Sequence, residues 1–584
     1  MALGLWLLAL PRTRLDRMGD LGLLQALPPV YFVALGLLTA GFIGVLRSAP
    51  VRQGWAAAYV LGLIAMIHAT PSILYPTLRY SWAWKHIAVV DAMLRHNGAV
   101  PDAGKLDVYN QWPGFFQLNG FFLRVTGMDS ALGYASWYPV IANVLLLGPL
   151  LLLYRAVTKD RRLVWGGVWL YYSTAWVGQD YFSPQAFAYL LFVTVAALVV
   201  RQLPSSRAMA SVGAAGPAGS GARALSGLPD DRQRRGWRPG PFLLLVVLIA
   251  AIVSSHQLTP IMLISALLLL SLPRRNRRTV LPVLAVAVAL TLAWDATIAR
   301  PFVSTHLSDF LTALGTPDSN AASGLASLGS AAPGQVISSW GDRGLTGLML
   351  LLAAVAVVRR RWVRPTGLPL LLIAPLLLLF ANGYGGEMLF RAYLFALPAA
   401  ALLVAALLWQ TRPERPLRIA VTAVVLFGLL GGMLLGYYGK EAMNHFTPQE
   451  AAATRLVTDT PPGSTIVSLT SNLPGSELHY EEHDRIPLAD GTADYQRQLV
   501  QEPRAVLEAT LADAGAKGPT YLIITRSQTA ECELTGLLPT STVRQLVDVA
   551  AHSAMLRPVL TGQDAVVYQY VNPADPARSG GSTP

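Results

Sequence analysis

The chain is dominated by apolar runs close to the length that a bilayer-crossing helix needs, roughly 20 residues. They fall at Pro29–Leu46, Trp55–Tyr75, Tyr138–Tyr154, Leu163–Trp176, Pro184–Val200 and Pro241–Ser254. They continue at Thr259–Leu272, Val280–Ile298, Leu345–Val358, Leu368–Phe380, Ala392–Trp409 and Ile419–Tyr437. In hydrocarbon every backbone N–H and C=O has to be satisfied inside the segment, so such runs fold as helices. A single apolar core does not account for them. Of 584 residues, 53% are hydrophobic and 13% charged, against about 25% charged in a soluble domain. The sequence predicts an α-helical polytopic membrane protein with about twelve transmembrane helices in residues 1–438.

The loops between the runs set the orientation. Basic clusters lie at Arg47 and Arg52; Arg155, Lys159, Arg161 and Arg162; and Arg223, Arg232, Arg234, Arg235 and Arg238. Further clusters are Arg274, Arg275, Arg277 and Arg278; Arg359, Arg360, Arg361 and Arg364; and Arg412, Arg415 and Arg418. Each occupies an alternate loop, which makes these loops cytoplasmic by the positive-inside rule. The formal charge of +12 is thereby explained without nucleic acid, for which no binding module is visible. The other loops face outward, among them 76–133, 178–183, 255–258, 299–342 and 381–391. Parity puts the N-terminus outside. Ala2–Leu10 is apolar, but Arg12, Arg14 and Arg17 follow it rather than precede it, unlike a cleavable signal peptide. It reads either as the end of a helix or as an interfacial segment. Residues 205–240, rich in Gly, Ala, Ser and Arg, read as a flexible cytoplasmic linker. The single cysteine, Cys532, permits no intrachain disulfide and no cysteine-based metal site.

After Tyr438 the composition becomes that of a globular domain. Helical spacing at Pro448–Thr458 and Ser541–His552 alternates with short β-branched runs at Thr465–Leu469, Thr520–Thr525 and Ala565–Val571. This predicts a small extracytoplasmic α/β domain over 439–575, with 576–584 a disordered tail.

Ionisable groups at the membrane boundary are functional candidates. On the outer side these are Arg79, Lys85, His86, Asp91, Arg95 and Asp107 in the first long loop, with Asp295 near a helix end. Asp180 lies in Gln179–Gln185 (QDYFSPQ), His256 in a short turn, and Glu387 and Arg391 beside the glycines of 383–386. Plainer roles compete. The cations suit lipid headgroups. Ser81–His96 reads as an interfacial helix, with Asp91 on a solvated face. Asp180 suits an N-cap, His256 a satisfied turn, and Glu387 with Arg391 an i,i+4 pair. Trp112, Phe115, Phe116, Phe121 and Phe122 suit an aromatic belt, or else a re-entrant wall whose polar groups are Asp107 and Asn110.

A helix, an outer loop with an amphipathic acidic segment (Ser81–His96 with Asp91), many short-looped helices and an outer α/β tail opening on FTPQEAAATRLVTDTPPGSTIVS together resemble the GT-C superfamily of membrane glycosyltransferases. The acidic pair usual after that family's first core helix has no counterpart in Pro71–Lys85, where the first acid is Asp91. The resemblance implies a bacterial plasma-membrane enzyme. It would transfer a hexosyl or pentosyl group, with inversion, from a polyprenyl-phosphate donor to an extracytoplasmic acceptor hydroxyl on a cell-envelope glycan, lipid or protein. Asp91 or Asp107 would be the catalytic base. Arg391, with Arg79 or Lys85, would hold the phosphate, and Glu387, Asp180 and His256 would position the sugar. No cofactor is implied, and use of a divalent cation stays open. The rivals are a polysaccharide polymerase or ligase, a lipid-linked glycan transporter or flippase, and a non-catalytic scaffold. A transporter favours acids at the midplane, and the helix centres carry almost no charge.

Overall fold

The computed structural model describes residues 1–204, 237–305, 330–380, 388–409 and 416–572. Among these residues eight helices are long and apolar enough to cross a membrane: Pro29–Arg47, Gln53–Leu74, Tyr138–Val157, Pro184–Gln202, Arg274–Ala296, Pro333–Arg359, Met388–Leu408 and Ile419–Asn444. The remaining apolar runs are also helical but shorter, at Arg161–Tyr172, Pro239–Ser255, Thr259–Ser271 and Leu368–Leu377. Proline and polar residues shorten them. Pro375 breaks the ladder of one, and Arg161–Tyr172 carries two arginines, two glycines and two tyrosines among its apolar residues. The helix Met388–Leu408 runs through the middle of the bundle, with 83% of its most apolar stretch buried. Its Ala392, Ala396, Ala399, Ala400 and Ala401 let neighbouring backbones approach closely.

Two local departures position the site. In Gln53–Leu74 the turn Ala65–Ala69 is π-helical. Pro71 cannot donate to the carbonyl of Ile67 and its ring crowds that carbonyl, so the turn widens, and His68 lies within it. The loop expected over 299–342 ends earlier than the sequence suggested. The helix starts at Pro333, and Asp342 is a buried residue inside it, 4% exposed. The absence of charge from the helix interiors is therefore incomplete. The linker expected at 205–240 falls mostly outside the described residues, as does 576–584; Pro239 already begins a helix.

The first long loop is a packed unit. The helix Ser81–Arg95, which the sequence predicts to be interfacial, buries Trp84, Ile87, Ala88 and Val90, and packs on the helix Gly114–Thr126. The expected aromatic belt divides between two faces. Phe115 and Phe116 are core residues, whereas Phe121 is 66% exposed.

The C-terminal region contains a five-stranded sheet of order β2-β1-β3-β5-β4. Its strands are β1 Thr465–Ser468, β2 Asp484–Pro487, β3 Thr520–Thr525, β4 Leu556–Thr561 and β5 Ala565–Tyr570. β1 is parallel to β2 and β3, while β5 is antiparallel to β3 and β4. Alternate residues face opposite sides. Ile466, Ile523 and Val567 pack on the helix Pro448–Thr458, and Val467, Leu522 and Ile524 pack on Pro503–Gly515 and Thr540–His552. The edge strands β2 (DRIP) and β4 (LRPVLT) carry charge and proline, which kept them from reading as strands.

Candidate functional site

The sheet region docks on one end of the helix bundle. Arg526 donates to the carbonyls of Ala442 (2.9 Å) and His445, and Asn472 Nδ2 donates to Met443 O (2.8 Å). Lys85 pairs with Glu477 at 3.2 Å and Arg95 with Glu481 at 2.6 Å. At that end a cavity of about 880 Å³ opens. One wall is the interfacial helix, with Trp82, Lys85 and His86. The others come from Lys105, Tyr109 and Trp112, from the turn Gly178–Gln185, from Ser255–Gln257, from Arg391, and from Gly436, Tyr437, Lys440 and Asn444. Cations and aromatic rings thus line the space where the apolar helices end. No Asp or Glu is among its described lining residues.

Tyr80 joins the interfacial helix to the bundle at φ 67°, a conformation a side-chain-bearing residue rarely takes. Its N–H donates to Asn444 O at 3.1 Å. Next to it the buried Arg79 is sandwiched between the rings of Tyr80 (4.3 Å) and Tyr437 (4.8 Å), and its Nη1 lies 3.5 Å from Oε1 of the buried Glu441. A guanidinium removed from water needs such partners, because desolvation of an unpaired charge costs several kcal/mol, roughly.

Below the cavity floor sits Asp180. Oδ2 accepts from Asn143 Nδ2 (2.8 Å) and Tyr437 OH (3.1 Å), and His68 Nδ1 lies 2.8 Å away. Burial, the largest single influence, favours its neutral form. His68, with Arg79 and Tyr437, outweighs burial and holds the carboxyl below its ordinary value. Asp180 faces a recess of about 40 Å³ shared with His68 and Asn143, and Gly178 and Gln179 line both recess and cavity. The N-cap of the following helix is Ser183, which accepts from Ala186 N at 3.1 Å, so Asp180 is released from that role.

Lys85, His256 and Arg391 line the cavity. Arg391 donates to Gln185 Oε1. His256 Nδ1 takes the Thr259 N–H (3.2 Å), which leaves Nε2 as the protonated nitrogen. His86 bonds through Nδ1 to Phe182 O (2.9 Å) and stacks on Tyr181. Burial pushes both imidazoles down to about 3, so both are neutral at physiological pH. Arg79 stands behind Tyr80 and Tyr437 rather than in the wall.

Asp91 and Asp107 are not among the lining residues. Asp91 lies five residues beyond His86, roughly 140° around the helix. Burial pushes its carboxyl up to about 6, with Arg95 acting in the opposite direction. The two oxygens of Asp107 accept from Asn110 and Gln111, each at 2.9 Å, and tie a turn. Glu387 lies outside the described residues. Sequence reasoning passed over His68, Asn143, Tyr437 and Glu441. For His68 a signal existed, an ionisable residue inside the apolar run Trp55–Tyr75.

No protein-family model matches the sequence, and no curated protein matches it. Solved structures similar in fold include two membrane proteins. One is the Archaeoglobus fulgidus oligosaccharyltransferase tethered with an acceptor peptide containing the NVT sequon, at 13% identity and TM-score 0.49, over 85% of this chain and 72% of that one. The other is ArnT from Cupriavidus metallidurans bound to undecaprenyl phosphate, at 11% identity and TM-score 0.45, over 89% of this chain and 98% of that one. At these values neither likeness carries a statement about chemistry, which rests on the site itself.

Proposed function

We propose that the chain is a membrane glycosyltransferase that moves a sugar from a polyprenyl-phosphate donor to an acceptor hydroxyl at the outer face of a bacterial plasma membrane. The observation that carries this reading is the cavity, a space of about 880 Å³ walled by Lys85, Lys105, Arg391, Lys440 and aromatic rings at the end of apolar helices. A lipid phosphate needs cations where its head leaves the hydrocarbon, and a sugar ring packs on aromatic faces. The alternation of basic loops supports placing this end, with the sheet region, outside the cell.

In the proposed step the acceptor oxygen attacks the anomeric carbon, the bond from that carbon to the phosphate oxygen breaks, and the lipid phosphate leaves against Arg391 and Lys440. A carboxylate takes the acceptor proton. We assign this role to Asp180. It is kept ionised, and its recess admits little more than a hydroxyl or a water molecule. His68, Asn143 and Tyr437 orient it. Asp91 and Asp107, the bases implied by the family resemblance, are the alternatives that the test separates.

The test is sugar transfer by the purified chain in nanodiscs, from a synthetic polyprenyl-phosphate sugar to a panel of acceptors. Asp180→Asn keeps the shape of the side chain and removes its basicity, and is expected to lower the rate about 10²- to 10⁴-fold. Asp91→Asn and Asp107→Asn are expected to transfer normally. Normal transfer by Asp180→Asn, with loss in either of the others, would reassign the base. A transporter of lipid-linked glycans is the second reading, favoured by Asp342, whose Oδ1 is buried in a spanning helix with no hydrogen-bond partner among the described residues. Donor-dependent flipping without transfer would select it.

A further inference from the structure

We propose that the loop between β1 and β2 holds a divalent metal of the zinc class, bound by His479, Glu481 and Glu482. The site stands apart from the cavity and does not depend on the glycosyltransferase reading. Each of the three side chains offers one ligand atom, and these atoms lie within 4.8 Å of one another. His479 Nδ1 is 3.8 Å from Glu482 Oε2. Around a tetrahedral zinc, ligand atoms about 2.0–2.2 Å from the ion stand about 3.3–3.6 Å apart. His479 and Glu482 have side chains 33% and 38% exposed, so shifts of under about an ångström can close the set.

A second observation points to a ligand. The Glu481 side chain is only 5% exposed, and its Oε1 is held by Arg95 at 2.6 Å, with His96 Nε2 at 3.4 Å. Its Oε2 is buried with no hydrogen-bond partner among the described residues, and so is His479 Nδ1. A buried carboxylate oxygen left unsatisfied costs roughly 1–3 kcal/mol, and an ion is one of the groups that satisfies it. One oxygen held by a cationic side chain while the other faces the ion is the usual arrangement of a metal-bound carboxylate. An imidazole with two carboxylates suits zinc, whereas calcium and magnesium prefer oxygen alone.

The position gives the metal a role. The same loop places Glu477 on Lys85 and Glu481 on Arg95. Both cations belong to the interfacial helix, whose other residues Trp82 and His86 wall the cavity. An ion that fixes this loop fixes the helix beneath it.

The experiment uses the full-length, untagged chain in detergent. It is stripped with EDTA, dialysed and titrated with zinc chloride by calorimetry, and thermal unfolding is followed in parallel. One saturable zinc per chain is expected, with a rise in melting temperature. His479→Ala and Glu482→Gln, both at partly exposed side chains, are expected to bind zinc about tenfold more weakly or worse, and to melt with the stripped parent. That equality separates loss of the site from loss of the fold. Absence of saturable zinc binding, parent-like affinity in both variants, or preference for calcium would each overturn the assignment.

Discussion

His86 and His256 carry no charge at neutral pH because burial makes an imidazolium costly, and both titrate near about 3. Unfolded, they titrate near about 6.5. Between those values the unfolded chain binds protons that the folded chain does not. Their contribution is therefore fully present above about pH 6.5 and is lost as pH falls toward 3. His86→Gln should lose less melting temperature than the parent between about pH 7 and pH 4.5; equal slopes would show that His86 is not the group responsible. Arg391 is the cavity's cation at the start of a central helix, with a donor bond to Gln185. Arg343 is stacked over Trp340 at 5.6 Å and has no place in the wall. Arg391→Ala should lower kcat/KM about 10- to 100-fold, the size of one charge-assisted hydrogen bond. Arg343→Ala should change it no more than about threefold. Similar losses would remove Arg391 from the headgroup site.

Among the elements, the interfacial helix does two jobs with opposite faces, and that explains where Asp91 lies. Positions 82 and 86 share a face while 91 falls on another, as the helical repeat requires. Periodicity alone already separates them. The helix Pro448–Thr458 ties the base of the sheet together. Glu450 closes its capping box on Thr447 N (2.7 Å), also accepts from Ser527 N (2.7 Å), and is fully buried. One carboxylate thus satisfies two helix N-termini at the base of the sheet. Glu450→Ala leaves both donors unpaired in the interior and should destabilise the sheet region by roughly 1–3 kcal/mol for each. Proteolysis or denaturant unfolding of the full chain in detergent reads this directly; an unchanged midpoint would mean that water replaces the carboxylate.

The molecule as a whole joins a helix bundle to a sheet region across a cavity, and its orientation decides which compartment would supply the acceptor of the proposed transfer. The basic loops predict that single cysteines at Ala215 and Arg235 are shielded from an impermeant thiol reagent in intact cells, whereas cysteines at Ser330 and Pro576 are labelled. The background is Cys532→Ser, a buried position. Labelling at 235 would reverse the orientation and remove an extracytoplasmic acceptor.

Apolar run length and β-branched spacing located most helices and the three inner strands from sequence alone, because backbone satisfaction in hydrocarbon and the two-residue repeat of a strand are local requirements. Lys85, His256 and Arg391 were legible as candidates for the same reason: charge and imidazole at the ends of apolar runs stand out. The partnership of Asp180 with His68, Asn143 and Tyr437 was not legible. Its partners lie 37 to 257 positions from Asp180, on three separate helices, and only the packing of those helices brings the atoms within hydrogen-bond reach. The same holds for Asp342, which counted as loop until the helix from Pro333 enclosed it, and for Glu481, whose unpaired oxygen exists only because the sheet region folds against the interfacial helix. Local physics wrote the elements into the chain, and long-range packing decided which of their polar groups meet.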